Sequence, residues 1–272
     1  MKKYLLIAVY CLTAFFSKAQ SSKELNDKIC RLAEQLKALR NPDIDLNIVE
    51  DSLGWCDSVL SKTMIQFAKK TPGFLQKSFP AWESIGDSYA SIYVQNSDDK
   101  KLKIVYWQNG PHQQIKRFNY IIFWEKHHQL MYKTVDSSID NDCSIRTINH
   151  LKQKNGDDLY FLINEYEGGR MYTAMDVSCI KINHSDEDLM EAFPAFKTST
   201  KTLSKISVDA DHAIYRNVAY GDMIHFDKEG RTLYVQIIPD KKDPNDSDEE
   251  NKPRHYFVYQ YDGNYFVYKR KQ

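Results

Sequence analysis

Leu102-Lys-Ile-Val-Tyr-Trp-Gln108, Phe118-Asn-Tyr-Ile-Ile-Phe-Trp124 and Leu130-Met-Tyr-Lys-Thr-Val135 decide the fold. Aromatic and β-branched residues dominate all three, and polar segments separate them, so they read as three successive β-strands. In the middle run Phe118, Tyr120, Ile122 and Trp124 share one face at period two, with Ile121 and Phe123 on the other. A strand apolar on both faces belongs at the centre of a sheet that is covered on both sides. The rest of the chain is read outward from that strand.

Upstream, Leu25, Ile29, Leu32, Leu36 and Leu39 recur at helical spacing, and Pro42 follows them, so residues 22–40 are predicted helical. A second helix is predicted over Val49 to Lys69, with Leu53, Cys56, Leu60, Met64 and Phe67 on one face. The short link between them makes an antiparallel helical hairpin. Thr71-Pro72-Gly73 and Phe79-Pro80 then end the helical pattern.

Downstream, strands are expected over 89–95, 144–151, 159–166, 171–182, 206–208, 213–226 and 232–238, with a short helical turn at Asp186 to Met190. Glu167-Gly168-Gly169 supplies a hairpin turn. The clearest hairpin comes last, where Asp262-Gly263-Asn264 joins His255–Tyr261 to Tyr265–Lys269. The fold class is α+β: an N-terminal helical hairpin followed by a large antiparallel β-meander, sandwich or propeller-like. The expected organisation is a signal peptide over 1–19, a helical hairpin segment over 20–80 and an antiparallel β domain over 81–272.

The first residues have the pattern of a secretory signal peptide. Lys2 and Lys3 form the positive region, Tyr4 to Phe16 the apolar run, and Ser17-Lys18-Ala19 a small-x-small cleavage site. The apolar run falls short of the roughly 20 residues of a membrane helix, so no stable membrane insertion is expected after cleavage. Cleavage removes Lys2, Lys3 and Lys18 and leaves 34 basic against 37 acidic side chains, near net −3. That balance, spread along the chain, carries no basic stripe for nucleic acid. The expected location is exported, periplasmic or secreted.

Four cysteines survive cleavage: Cys30, Cys56, Cys143 and Cys179. No Cys-x-x-Cys occurs, which removes zinc-ribbon and thioredoxin-like readings. Cys30 and Cys56 lie at matching levels of the helical hairpin and are candidates for a disulfide, although Cys30 sits about 140° from the centre of its apolar stripe at 100° per residue. Cys143 and Cys179 fall near opposite ends of a meander, too far apart for a bond, and are expected as buried thiols.

Ile92-Tyr-Val-Gln-Asn-Ser-Asp-Asp-Lys-Lys-Leu-Lys-Ile-Val-Tyr-Trp-Gln-Asn-Gly110, Leu159-Tyr-Phe-Leu-Ile163 and Tyr261-Asp-Gly-Asn-Tyr-Phe-Val-Tyr268 are similar to a group of uncharacterised exported proteins of Bacteroidota-type bacteria. The resemblance covers the signal peptide and nearly all of the β part. It implies export and a single β-rich unit, and brings no activity or catalytic residues.

Gly-x-Ser-x-Gly, His-Glu-x-x-His, Gly-x-Gly-x-x-Gly and Walker-type loops are all missing from the sequence, so no catalytic, cofactor or metal residue is assigned. The acidic run Asp240 to Asn251 clusters carboxylates, but Asp248 stands where an EF-hand starting at Asp243 requires glycine. A solvated loop is the simpler reading. Asp209, Asp211 and His212 form an acid–base candidate, with His225 downstream, and Asp209 and Asp211 share a strand face. His127-His128 reads as the exposed tip of a hairpin. Trp107, Trp124, Tyr106, Tyr120 and Tyr132 suit either a glycan or peptide groove or cross-strand core pairs, and their two-faced placement favours the core. By elimination the expected function is a non-enzymatic module that binds a ligand or partner, an envelope protein or a glycan. The alternative is a hydrolase of envelope or host polymers using Asp209 and Asp211.

Overall fold

The computed structural model describes residues 20–39, 46–83, 92–109, 117–135, 143–167, 172–182, 189–190, 192–211, 223–238 and 255–271. Helix α1 spans Ser22–Leu39 and helix α2 spans Leu46–Lys70. At the start of α1, Ser21 and Glu24 close a capping box: the Glu24 amide donates to Ser21 Oγ at 3.3 Å and the Ser21 amide to the Glu24 carboxylate at 2.7 Å. The apolar stripe of α1, Leu25, Ile29, Leu32 and Leu36, is buried as its spacing predicts. A 3-10 turn at Phe74–Gln76 and the short helix α3, Pro80–Glu83, follow.

Strands β1 (Ile92–Asn96), β2 (Leu102–Asn109), β3 (Arg117–Lys126) and β4 (Gln129–Val135) form an antiparallel meander, the first sheet. The β3–β4 turn is only His127 and His128, both exposed and both left-handed, at φ 49° and 62°. A right-twisted hairpin with a two-residue turn requires that conformation, and histidine tolerates it better than most side chains.

The second sheet joins β5 (Cys143–Lys152), β6 (Asp158–Glu167) and β7 (Tyr172–Ile182) in sequence, with β11 (Lys205–Asp211) on the far edge of β7. β8 (Leu189–Met190) pairs with Ile182 and Lys181 on that same edge. Leu189 and Met190 are thus strand where a helical turn was expected over Asp186 to Met190, of which 186–188 lie outside the described residues: the open edge of β7 offers ladder partners that the local sequence does not reveal. The third sheet has the order β10 (Thr202–Leu203), β9 (Phe196–Lys197), β15 (Phe266–Lys271), β14 (Tyr256–Tyr261), β13 (Thr232–Gln236), β12 (Ile224–Phe226). β9 and β15 are the one parallel neighbour pair among these described strands. The β14–β15 hairpin closes as predicted, with Gly263 at φ +100° and the Asp262 amide donating to the Tyr265 carbonyl at 3.0 Å.

These elements stack in four layers. The helical hairpin packs on Val105, Trp107, Ile121 and Phe123 of the first sheet. The opposite face of that sheet, Tyr106, Phe118, Tyr120, Ile122 and Trp124, packs on Tyr160, Leu162 and Ile180 of the second. The other face of the second sheet, including Leu159, Phe161, Val177 and Cys179, packs on Phe196, Leu233 and Phe266 of the third. β3 is thus covered on both faces, as its sequence requires. Burying each such Leu, Ile or Phe is worth about 1.5–3 kcal/mol, so both central sheets are held from two sides.

The turn of each outer sheet also docks on the middle one. Asp99, in the β1–β2 turn, receives the Tyr160 hydroxyl at 3.1 Å. Gly230, in the β12–β13 turn, gives its carbonyl to Asn149 Nδ2 at 3.0 Å, and the Lys154 amide donates to the Gly263 carbonyl at 2.9 Å. No described helix is long and apolar enough to cross a membrane.

Candidate functional site

One candidate site lies between the first and second sheets. It is a cavity of about 310 Å³ walled by Ile104 and Ile122 on one side and Ile145, Leu162 and Ile180 on the other. Exposed Ala192 and Lys205, from the segments around β8 and β11, also line it, so it opens to solvent there. The period-two alternation of β6 and β7 points Asn164, Asp176 and Ser178 to this same face as Leu162 and Ile180.

Asp176 anchors the polar end. It is 1% exposed. Asn164 Nδ2 donates to its Oδ1 at 2.7 Å, the Tyr166 hydroxyl to its Oδ2 at 2.5 Å, and Lys205 Nζ stands 3.4 Å from Oδ2. A buried carboxylate needs such a set, because an uncompensated charge in an apolar layer is costly. Asn164 also donates to Ser178 Oγ at 3.2 Å. Beside this cluster the Tyr120 hydroxyl donates to the Cys143 carbonyl and lies 3.6 Å from its Sγ. Burial, followed by the neighbouring Cys143, drives the Tyr120 phenol far above its ordinary range. Burial likewise pushes the Cys143 thiol up to about 11 and raises Tyr166 strongly. These three groups stay neutral at ordinary pH.

A second depression, of about 480 Å³, runs between α2 and β3–β4 and is lined by Ser61, Lys62, Trp107, Asn119 and Tyr132. Three of the five aromatic residues weighed for a groove, Trp107, Tyr120 and Tyr132, line it. Trp107 is buried and donates Nε1 to Asp57 of α2 at 2.8 Å, which ties the sheet to the helix. Tyr106, Tyr120 and Trp124 are core residues, as their placement favoured. Tyr132 alone is exposed, at 39%, and carries Lys69 Nζ 4.6 Å above its ring.

Other sequence candidates fare differently. Asp209 is exposed at the middle of β11, while the Asp211 side chain and His212 lie outside the described residues, as does the acidic run 240–251. His225 is half-buried and stacks on Tyr234 at 4.9 Å. No bond joins Cys30 and Cys56. Cys30 is a thiol on the half-exposed flank of α1, whose burial raises it, whereas Cys56 is buried in the helix–sheet core. The facing mismatch prevails over the matching level. Cys143 and Cys179 are buried free thiols, as expected.

Asp176, Asn164 and Lys205 were not singled out from the sequence. The signal that finds them is a carboxylate and an amide on the apolar face of predicted strands, at Ala174-Met-Asp-Val177 and Leu162-Ile-Asn164. A buried polar residue is more informative than an exposed apolar one.

Comparison with protein-family models, with curated proteins and with solved structures gives no match to this chain.

Proposed function

We propose that the protein is an exported binding module that holds a small amphipathic ligand between its first and second sheets. The observation that carries this is the cavity beside Asp176: branched apolar walls ending at a cluster of converging polar groups. Ligand pockets combine a mostly apolar lining with a few fixed polar groups that orient the molecule. A volume of about 310 Å³ holds about ten non-hydrogen atoms at the roughly 30 Å³ that a water occupies in the liquid. A C6–C8 chain or a single aromatic ring with one hydrogen-bonding head fits that space, with its head at Asn164, Tyr166, Ser178 and Lys205. The signal-peptide pattern of residues 1–19 supports export to the periplasm or beyond.

The test is thermal unfolding against hexanoate, octanoate, hexylamine, hexanol and p-cresol. A ligand at a hundred times its dissociation constant adds about 2.7 kcal/mol, and a chain of this size shifts about 2–4 °C per kcal/mol. Binding in the cavity predicts a shift that Leu162→Trp, which fills the space, abolishes. A shift that survives Leu162→Trp places the ligand elsewhere. If no compound shifts the transition, the small-ligand reading falls and an envelope-protein partner becomes the leading one.

A further inference from the structure

A second group of side chains lies outside the cavity, where the β1–β2 turn meets β5 and β6. Asp99 comes from the turn, His150 from β5 and Asp158 from the start of β6, and their ligand atoms lie within 4.8 Å of one another. His150 Nε2 stands 2.8 Å from Asp158 Oδ1, and His150 Nδ1 stands 3.5 Å from Asp99 Oδ2. A neutral imidazole has one N–H and cannot donate to both carboxylates. In the neutral tautomer with its proton on Nε2, the imidazole donates to Asp158 Oδ1 across the shorter contact. In that tautomer the Nδ1 lone pair and Asp99 Oδ2 converge on one point, the donor arrangement that a metal ion accepts.

The geometry suits a metal. At bonds of about 2.0–2.2 Å to nitrogen and oxygen, two ligand atoms 3.5 Å apart subtend about 115° at a zinc ion, close to tetrahedral. Both ligands are already held in place. Asp99 Oδ1 accepts from Ser97 Oγ at 2.6 Å and from the Lys101 amide at 3.1 Å, while Oδ2 also accepts from the Tyr160 hydroxyl. The His150 ring stacks on Tyr160 at 5.0 Å, and Asp158, nearly fully buried, fixes its tautomer from the far side. A carboxylate on the outer nitrogen of a metal-binding histidine is the recurrent supporting arrangement. Asp99 and His150 keep 17% and 20% of their side-chain surface exposed, which leaves an entry path for an ion and its waters.

We infer that this cluster binds a divalent transition-metal ion of the zinc class through His150 Nδ1 and Asp99 Oδ2, with Asp158 orienting the imidazole and water completing the shell. The mixed imidazole–carboxylate set favours zinc, manganese or nickel over calcium. The site would also pin the β1–β2 turn to the middle sheet.

The test is equilibrium dialysis of the purified, chelator-treated protein against zinc chloride. One equivalent of zinc is expected to be retained by the native chain and by His128→Asn, a control at the exposed β3–β4 turn. His150→Gln and Asp99→Asn are each expected to weaken binding at least tenfold. Asp158→Asn, as an outer partner, is expected to lose about 10–100-fold. If His150→Gln fails to fold, long-range proton–nitrogen spectra of the native protein decide: zinc must shift Nδ1 of one half-buried histidine whose Nε2 keeps its proton. No retained zinc, zinc that His128→Asn abolishes, or zinc unaffected by Asp99→Asn overturns the assignment.

Discussion

Gly230→Ala tests how the third sheet is registered on the second. Gly230 sits at φ +68°, and a Cβ there would lie 2.2 Å from Asn149 Oδ1 and 2.8 Å from its Cγ. Two costs follow. Placing an L-residue in the left-handed region costs about 1–2 kcal/mol. Driving the Asn149 amide aside also breaks its bond to the Gly230 carbonyl, worth about 0.5–1.5 kcal/mol net. The expected destabilisation is therefore about 1.5–3.5 kcal/mol on those two terms. Gly156 supplies the control, because it lies at φ +94° with nothing within 4 Å of its added Cβ. Gly156→Ala should carry only the backbone term, about 1–2 kcal/mol. The entropy that alanine removes from the unfolded chain is common to both and cancels in the comparison. Urea unfolding at equal slope measures the difference, and Asn149→Ala completes a double-mutant cycle. In the Asn149→Ala background Gly230→Ala should fall to the cost of Gly156→Ala. Equal costs at the two glycines in the native background would refute the reasoning, as would an excess at Gly230 that persists without Asn149.

Three further outcomes are expected. Asp176→Ala removes the acceptor shared by Asn164, Tyr166 and Lys205 and should cost about 1–3 kcal/mol in urea unfolding, the range for leaving buried donors unpaired, since Lys205 is exposed; a cost below about 0.5 kcal/mol would mean that the cluster contributes little to folding. Trp107→Phe keeps most of the buried ring but takes a donor from Asp57, and should lower stability by about 1.5–3 kcal/mol by the same assay. The Cys143 thiol, raised by burial from 9.0 to about 11, sets a pH dependence. Above pH 9 the unfolded chain loses that proton while the folded chain keeps it, so this contribution is complete below 9 and is lost as pH rises through 11. Cys143→Ala should therefore flatten the alkaline fall of stability, and an unchanged alkaline slope would count against a buried neutral thiol.

The fold was legible where one segment carries its own evidence. The two-faced run Phe118 to Trp124 announced a doubly covered strand, the leucine stripe of residues 25–39 announced an amphipathic helix, and Asp262-Gly263-Asn264 announced a hairpin. What stayed hidden depends on distant partners. β11 returns to the edge of β7 after β9 and β10 have joined the third sheet, and no local pattern distinguishes that pairing from a hairpin with its neighbours. Leu189–Met190 became a strand because β7 had an open edge, which an acidic stretch of sequence does not show. The sites were illegible for the same reason. Asp99 sits in the polar stretch Asn96 to Lys100, which carries no sign of a ligand, and His150 is one of eight histidines. Asp158 opens a strand whose orientation toward the first sheet is set only by stacking.

The threading of β9, β10 and β11 has a consequence for how the molecule comes together. Residues 20–135 supply the described helices and the first sheet, and no described strand from later in the chain joins that sheet. The second sheet, by contrast, is incomplete until β11 arrives, and β11 lies between strands of the third sheet in the sequence. The chain therefore crosses from the second sheet to the third and back before either is complete. Amide hydrogen exchange should therefore resolve two cooperative foldons rather than four layers, one N-terminal and contiguous, the other an interlocked pair with a common opening free energy. A chain emerging from its N-terminus can close the first unit early, but it leaves Tyr106, Phe118, Tyr120 and Trp124 uncovered until β5 to β7 have been made.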